Sequence, residues 1–154
     1  SKSGIVVKGI NDMAVRFSKC CNPVPGDEIV GFVTRGRGMS IHRTDCVNVI
    51  HLSAAERSRL ITAEWEDPGD TEEGGQYLAE LKLYADDRRG LLLDITKVFT
   101  EEKIDVKSMN TRTSKKGTAT MDMGFIVHGR EELNRVIKKL RQIENVIDIE
   151  RTTG

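Results

Sequence analysis

The sequence is poor in cysteine, in aromatic side chains and in long apolar runs, and each shortage excludes something. No apolar run approaches the roughly 20 residues that a helix needs to cross a bilayer, and no signal-peptide pattern is present. Neither a membrane partner nor a secretory route is expected. Cysteine stops at three, an odd number, which argues against a disulfide framework and for a reduced, cytoplasmic setting. Aromatics amount to one Trp, two Tyr and four Phe in 154 residues. The strand read from Thr118 to Val127 offers only Phe125, and the alternation points it inward, so the base-stacking platform of an RNA-recognition motif is missing there. No GxxxxGK[ST] loop, GxSxG elbow or HExxH helix occurs, so no catalytic residue is expected.

Charge is balanced overall, with 24 basic and 24 acidic residues, but it is unevenly spread. The first 50 residues carry an excess of Lys and Arg, and residues 51–76 are acidic, which points the amino-terminal part towards an anionic partner. The stretch from Glu66 to Gly75 has no apolar residue and holds Pro68-Gly69 and Gly74-Gly75, which are loop signals. The chain therefore divides into a module over residues 1–66, an acidic linker over 67–76 and a second module over 77–154.

The first module reads as a small β-rich α+β fold with a thin core. Strands are expected over Gly4–Lys8, Met13–Phe17, Ile29–Thr34, Met39–Ile41 and Leu60–Trp65, with short helices starting near Asp45 and Ser53. The second reads as βαββαβ, the ferredoxin-like order. Its strands are Tyr77–Ala85, Ile104–Thr113, Thr118–Val127 and Ile147–Ile149. Its helices are Leu91–Lys103, with Leu91, Leu92, Ile95, Val98 and Phe99 on one stripe, and Glu131–Glu144.

What cysteine there is lies close together. Cys20-Cys21-Asn22-Pro23-Val24-Pro25-Gly26-Asp27 is followed by Gly36-Arg37-Gly38-Met39-Ser40-Ile41-His42-Arg43-Thr44-Asp45-Cys46. Cys20, Cys21, His42 and Cys46 supply the thiolate and imidazole ligands of a tetrahedral zinc site, with Asp45 able to replace one of the adjacent cysteines. The usual C-x2-C knuckle is absent, and buried free cysteines behaving as small apolar side chains are the plainer explanation. Lys19, Arg35, Arg37 and Arg43 surround a glycine-rich reversal, where arginine forks suit phosphate oxygens and RNA is the candidate partner. A solvated hairpin explains the same residues.

In the second module, Asp86-Asp87-Arg88-Arg89-Gly90-Leu91-Leu92 joins strand to helix. Amides of Gly90, Leu91 and Leu92 can hold a carboxylate, and Asp86 or Asp87 an ammonium, a constellation that suits a free amino acid. Leu91, Leu92, Met109 and Asn110 are candidates to line its side-chain pocket. Helix capping by an aspartate fits this stretch equally well.

The run Lys19 to Phe32, and with it Thr34 to Cys46, resembles the carboxy-terminal regulatory region of long Rel/SpoT-type enzymes, the bifunctional (p)ppGpp synthetase/hydrolases (GTP pyrophosphokinases) of bacteria. Asp87-Arg88-Arg89-Gly90-Leu91-Leu92 in its βαββαβ setting resembles the ACT domain that ends them. The resemblance implies that the first module is the zinc-finger or ribosome-intersubunit domain, touching ribosomal RNA and A-site tRNA during amino-acid starvation. It implies that the second senses amino acids, branched-chain ones in some members, and pairs with a second copy. Catalytic domains would lie elsewhere in such a protein, and this chain would regulate them at a distance.

Overall fold

The alternation read in Tyr77 to Ala85 is an observed strand with one apolar face. In the computed structural model, which describes residues 4–7, 14–36, 38–66 and 75–153, that strand is β6 (Tyr77–Asp86). The chain separates into two units, Ser1–Gly75 with Thr153–Gly154, and Gln76–Thr152.

In the second unit, β6 is followed by α3 (Leu91–Glu101), β7 (Val106–Thr113), β8 (Thr118–Val127), α4 (Arg130–Arg141) and β9 (Val146–Arg151). The sheet order is β7-β8-β6-β9, antiparallel throughout, which is the ferredoxin-like arrangement. One face buries Ala79, Leu81, Leu83 and Ala85 of β6 beside Ala119, Met121, Met123, Phe125 and Val127 of β8. Helix α3 adds Leu91, Ile95, Val98 and Phe99, whose ring meets Phe125 at a centroid distance of 4.9 Å, and α4 adds Leu133, Val136 and Leu140. The opposite face is polar, with Asp122 between Lys82 and Arg112.

Helix α3 ends two residues before the expected boundary at Lys103. The Ile104 amide donates to the Phe99 carbonyl and the Lys103 amide to Thr100, with Lys103 at φ 57°, a left-handed Schellman stop. Leu92 leaves the expected stripe: it is 47% exposed, because the buried face repeats at Leu91, Ile95 and Val98.

The first unit holds β1 (Ile5–Val7), β2 (Ala14–Phe17), β3 (Ile29–Val33), β4 (Gly38–Arg43), α1 (Val47–Ile50), α2 (Ala54–Arg57) and β5 (Leu60–Trp65). Its sheet order is β1-β5-β3-β4-β2, and the edge strand β2 runs parallel to β4. Cross-strand partners share a face. Ile41 and Ile61 therefore point to one side of the sheet, both opposite Gly31, and Val30, His42 and Thr62 to the other. The first side carries a core of Ile5, Met39, Ile41 and Ala63, flanked by Val15, Phe17, Ile29, Ile61 and Trp65. Met39 occupies the space above Gly31, where any Cβ would collide with its Sδ. The second side carries a smaller group, Cys21, Cys46 and Val49, with Cys20 and Val30 against it. Arg37 and most of the acidic linker, residues 67–74, lie outside the described residues.

Candidate metal centre

The turn before β3 brings both adjacent cysteines to one point. The Ser18 amide donates to Ile41 O, anchoring the turn to β4, and the Asn22 amide donates back to Ser18 O. Asn22 takes φ 48°, a left-handed conformation that a short polar side chain tolerates. The following Val24–Asp27 turn is closed from both ends: the Val24 amide donates to Asp27 Oδ2 at 2.8 Å and the Asp27 amide to Val24 O at 3.0 Å. His42 reaches the same point from β4, opposite Val30, and Cys46 from the residue that starts α1.

The ligand atoms of Cys20, Cys21, His42 and Cys46 all lie within 4.8 Å of one another. Cys20 Sγ is 3.4 Å from His42 Nδ1 and 3.4 Å from Cys46 Sγ, and Cys21 Sγ is 3.9 Å from His42 Nδ1. Around a tetrahedral zinc ion with Zn–S near 2.3 Å, neighbouring ligand atoms lie roughly 3.5–3.8 Å apart. The cluster therefore has the donor types and the spacing to hold a metal ion. The Arg43 amide donates to Cys21 Sγ at 3.3 Å, an outer-shell contact of the kind that orients a thiolate.

The electrostatics are those of a half-desolvated group of thiols. Burial pushes the Cys21 thiol up to about 12, against the opposing Arg43 amide. Burial also raises Cys46. For Cys20 burial again acts upward, but hydrogen bonds from Ser18, Asn48, Cys46 and Cys21 outweigh it and the thiol is lowered. Burial lowers His42, favouring the neutral imidazole that a metal requires.

Two expectations are corrected here. Asp45 does not stand in for a cysteine: its side chain is 59% exposed and its Oδ2 accepts from Arg43 Nη2 at 2.6 Å. Arg43 is not an exposed phosphate contact. It is buried, and Nη1 donates to Cys21 O at 3.2 Å, so it secures the cysteine turn to β4. Lys19 and Arg35 are exposed. Sequence reasoning missed Arg59, whose guanidinium lies 4.8 Å from the centre of the Phe32 ring. No periodicity signals that contact, because Arg59 precedes β5 and Phe32 lies in β3.

The amino-acid candidates separate. Gly90 is the N-cap of α3 at φ 81° with no side-chain capping bond, so neither Asp86 nor Asp87 caps the helix. Arg88 is locked, donating to Asp94 Oδ2 at 2.8 Å and twice to the Glu144 carbonyl. Leu91 is 2% exposed and belongs to the core rather than to a pocket wall. Asp86, Asp87, Arg89 and Gly90 are exposed. Met109 pairs with Met123 and that with Leu81, while Asn110 pairs with Asp122. Within one copy, Met109 and Asn110 therefore lie two strands across and roughly 15 Å along the sheet from the Arg88–Leu92 loop. A cavity of about 550 Å³ in the first unit, edged by Glu28, Glu64 and Trp65, includes none of the expected ligand residues.

Two family matches account for most of the chain. Residues 5–66 match the RelA/SpoT RIS domain and residues 73–151 the ACT domain. Among curated relatives, the GTP pyrophosphokinase of Streptomyces coelicolor is 40% identical over 151 residues, covering 98% of this chain and 17% of that protein. The GTP pyrophosphokinase of Escherichia coli K12 is 39% identical over 151 residues, covering 97% of this chain and 20% of that protein. The chain thus spans about a fifth of the length of these relatives. Among solved structures, the crystal structure of the ACT domain from GTP pyrophosphokinase of Chlorobium tepidum is 23% identical with a TM-score of 0.46, covering 50% of this chain and 99% of that one. Among the described residues no helix is long and apolar enough to cross a membrane. With a RIS domain followed directly by an ACT domain, the chain belongs to the RelA/SpoT family.

Proposed function

We propose that this chain is a regulatory region of a cytoplasmic (p)ppGpp synthetase/hydrolase, in which the first unit contacts ribosomal RNA and A-site tRNA and relays that contact to catalytic domains elsewhere in the protein. The observation that carries this reading is the match of residues 5–66 to the RIS domain, on a unit that exposes Lys19 beside the cysteine turn and Arg35 in the turn between β3 and β4. Zinc is the metal that a Cys3His set at these spacings suits, and Cys20, Cys21, His42 and Cys46 would hold it. A metal there adds stability by joining the cysteine turn, β4 and the start of α1.

The test is co-sedimentation with ribosomes across a salt series. Lys19→Ala with Arg35→Ala should weaken binding and flatten its salt dependence, since each phosphate contact contributes to the slope. Unchanged binding at every salt concentration would remove these residues from the contact. Metal analysis of protein never exposed to chelator should give one zinc per chain.

A second reading draws on the ACT match: the second unit binds a branched-chain amino acid between two copies. The separation of Met109 and Asn110 from the Arg88–Leu92 loop favours a site shared between copies over one inside a single copy. Calorimetry with valine, isoleucine and lysine, paired with sedimentation for dimerisation, tests it. Absence of heat from valine and isoleucine at millimolar concentration would end this reading.

A further inference from the structure

Register assembles one row of side chains that the sequence does not show as a unit. Arg16 on β2 lies opposite Ser40 on β4, Ser40 opposite Phe32 on β3, and Phe32 opposite Leu60 on β5. The next rung is His42, Val30 and Thr62. The row therefore shares its sheet face with the imidazole of the metal cluster and faces away from the Ile5, Met39, Ile41 and Ala63 core. Phe32 is only half-buried, and Arg59 lies over its ring at 4.8 Å. Arg16 and Arg35 are exposed. Glu56 lies within electrostatic reach of Arg59 and Arg35, and its Oε1 already accepts from the Ser53 amide and hydroxyl.

The Arg59 guanidinium centre lies over the Phe32 ring, and both side chains are only partly buried, so a cation and a ring are offered together at the surface. A protein carboxylate would engage the edge of the guanidinium, through the N–H fork. A nucleobase engages the flat side, by stacking. Arginines on both flanks add charge for the phosphates on either side of such a base.

We propose that Arg59, lying over Phe32, forms with it a platform for one unpaired RNA base, with Arg16 and Arg35 taking the flanking phosphates. The proposal rests on the RNA-contact reading above. It adds the residues that receive a base, and it makes the RNA single-stranded at that point, because a base within a duplex has no free face.

The test uses the whole chain and three fluorescent probes: an eight-nucleotide adenine RNA, the same backbone with abasic sites, and an eight-base-pair RNA duplex. Wild-type protein should bind the octamer about tenfold more tightly than the abasic strand. Arg59→Lys keeps the charge and should bring octamer affinity down to the abasic level while leaving duplex binding unchanged. Phe32→Tyr keeps the ring and should retain the preference, and Phe32→Leu should lose it. Arg35→Ala should weaken all three probes alike. An Arg59→Lys protein that still prefers the octamer overturns the platform, as does one that loses all three probes equally. Equal wild-type binding to all three overturns the platform and leaves the RNA reading standing. Wild-type binding to none of them overturns both.

Discussion

The two units solve the same problem with different means. The second buries Phe99, Phe125, Leu81, Leu83, Ile95 and Leu140, among others, in one continuous layer between sheet and helices. The first divides its apolar residues between two faces of a single sheet, four buried residues in one group and three in the other, two of those being cysteines. Small units with thin cores usually depend on a staple. Among the described residues, Cys20, Cys21, His42 and Cys46 are the groups placed to supply one, so loss of one of these and loss of a core side chain should injure different units.

The largest effect should come from removing the zinc proposed above. Chelation, or Cys46→Ser, is expected to cost the first unit several kcal/mol, since the binding energy of a structural zinc is folding energy. Hydrogen exchange measured residue by residue should show protection lost around the cysteine turn and α1 and kept in β6 to β9. Simultaneous loss in both units would break the comparison. Next is the reverse experiment. Phe125→Ala should cost the second unit about 3–5 kcal/mol by leaving a cavity beside Phe99, with metal content unchanged. Smaller again is Gly90→Ala, which forces an L side chain to φ 81° and should cost about 1–2 kcal/mol in denaturant unfolding of the second unit alone.

The smallest effect is confined to the ends of the pH range, in metal-free protein. The Cys21 thiol is raised from 9.0 to about 12, so its contribution to stability is full below about pH 9 and is lost as pH rises towards 12. Cys46, also raised, acts with it. Cys20 is lowered and acts the other way, one thiol against two. His42 is lowered, so its contribution is present above its ordinary value of 6.5 and lost as pH falls through the folded value. Chelated protein should therefore melt highest between about pH 6.5 and 9, and the first unit should account for the difference.

Legibility in the sequence follows the same division. All six elements of the second unit could be read, because a two-residue and a 3.6-residue period leave clear marks wherever one face is buried. Boundaries were missed where the backbone, not the pattern, decides: Lys103 ends α3 by turning left-handed. The four residues of the candidate metal cluster could be singled out in the first unit from residue type alone. What they meet could not. Arg43 reads as a phosphate contact beside the glycine-rich reversal, and only the fold shows the Cys21 carbonyl accepting from its guanidinium. The parallel pairing of β2 with β4 leaves no local signal, since it joins segments more than 20 residues apart. The row from Arg16 to Leu60 leaves no local signal for the same reason.

The turn between the cysteine pair and β3 has a kinetic meaning. Cys21 and His42 are 21 positions apart, which would be a costly loop to close in an open chain. Once the β3–β4 hairpin has zipped, the slack shrinks to Asn22–Glu28, and two of those seven residues are proline. The Val24–Asp27 bonds and the Trp65 indole N–H donating to Asp27 O at 3.0 Å fix the far end of that arm. The cysteine pair is then tethered beside His42 and Cys46 at a high effective concentration, with little entropy left to lose. An arriving ion meets four donors that are already neighbours, so capture should be limited by the departure of thiol protons rather than by the search of the chain.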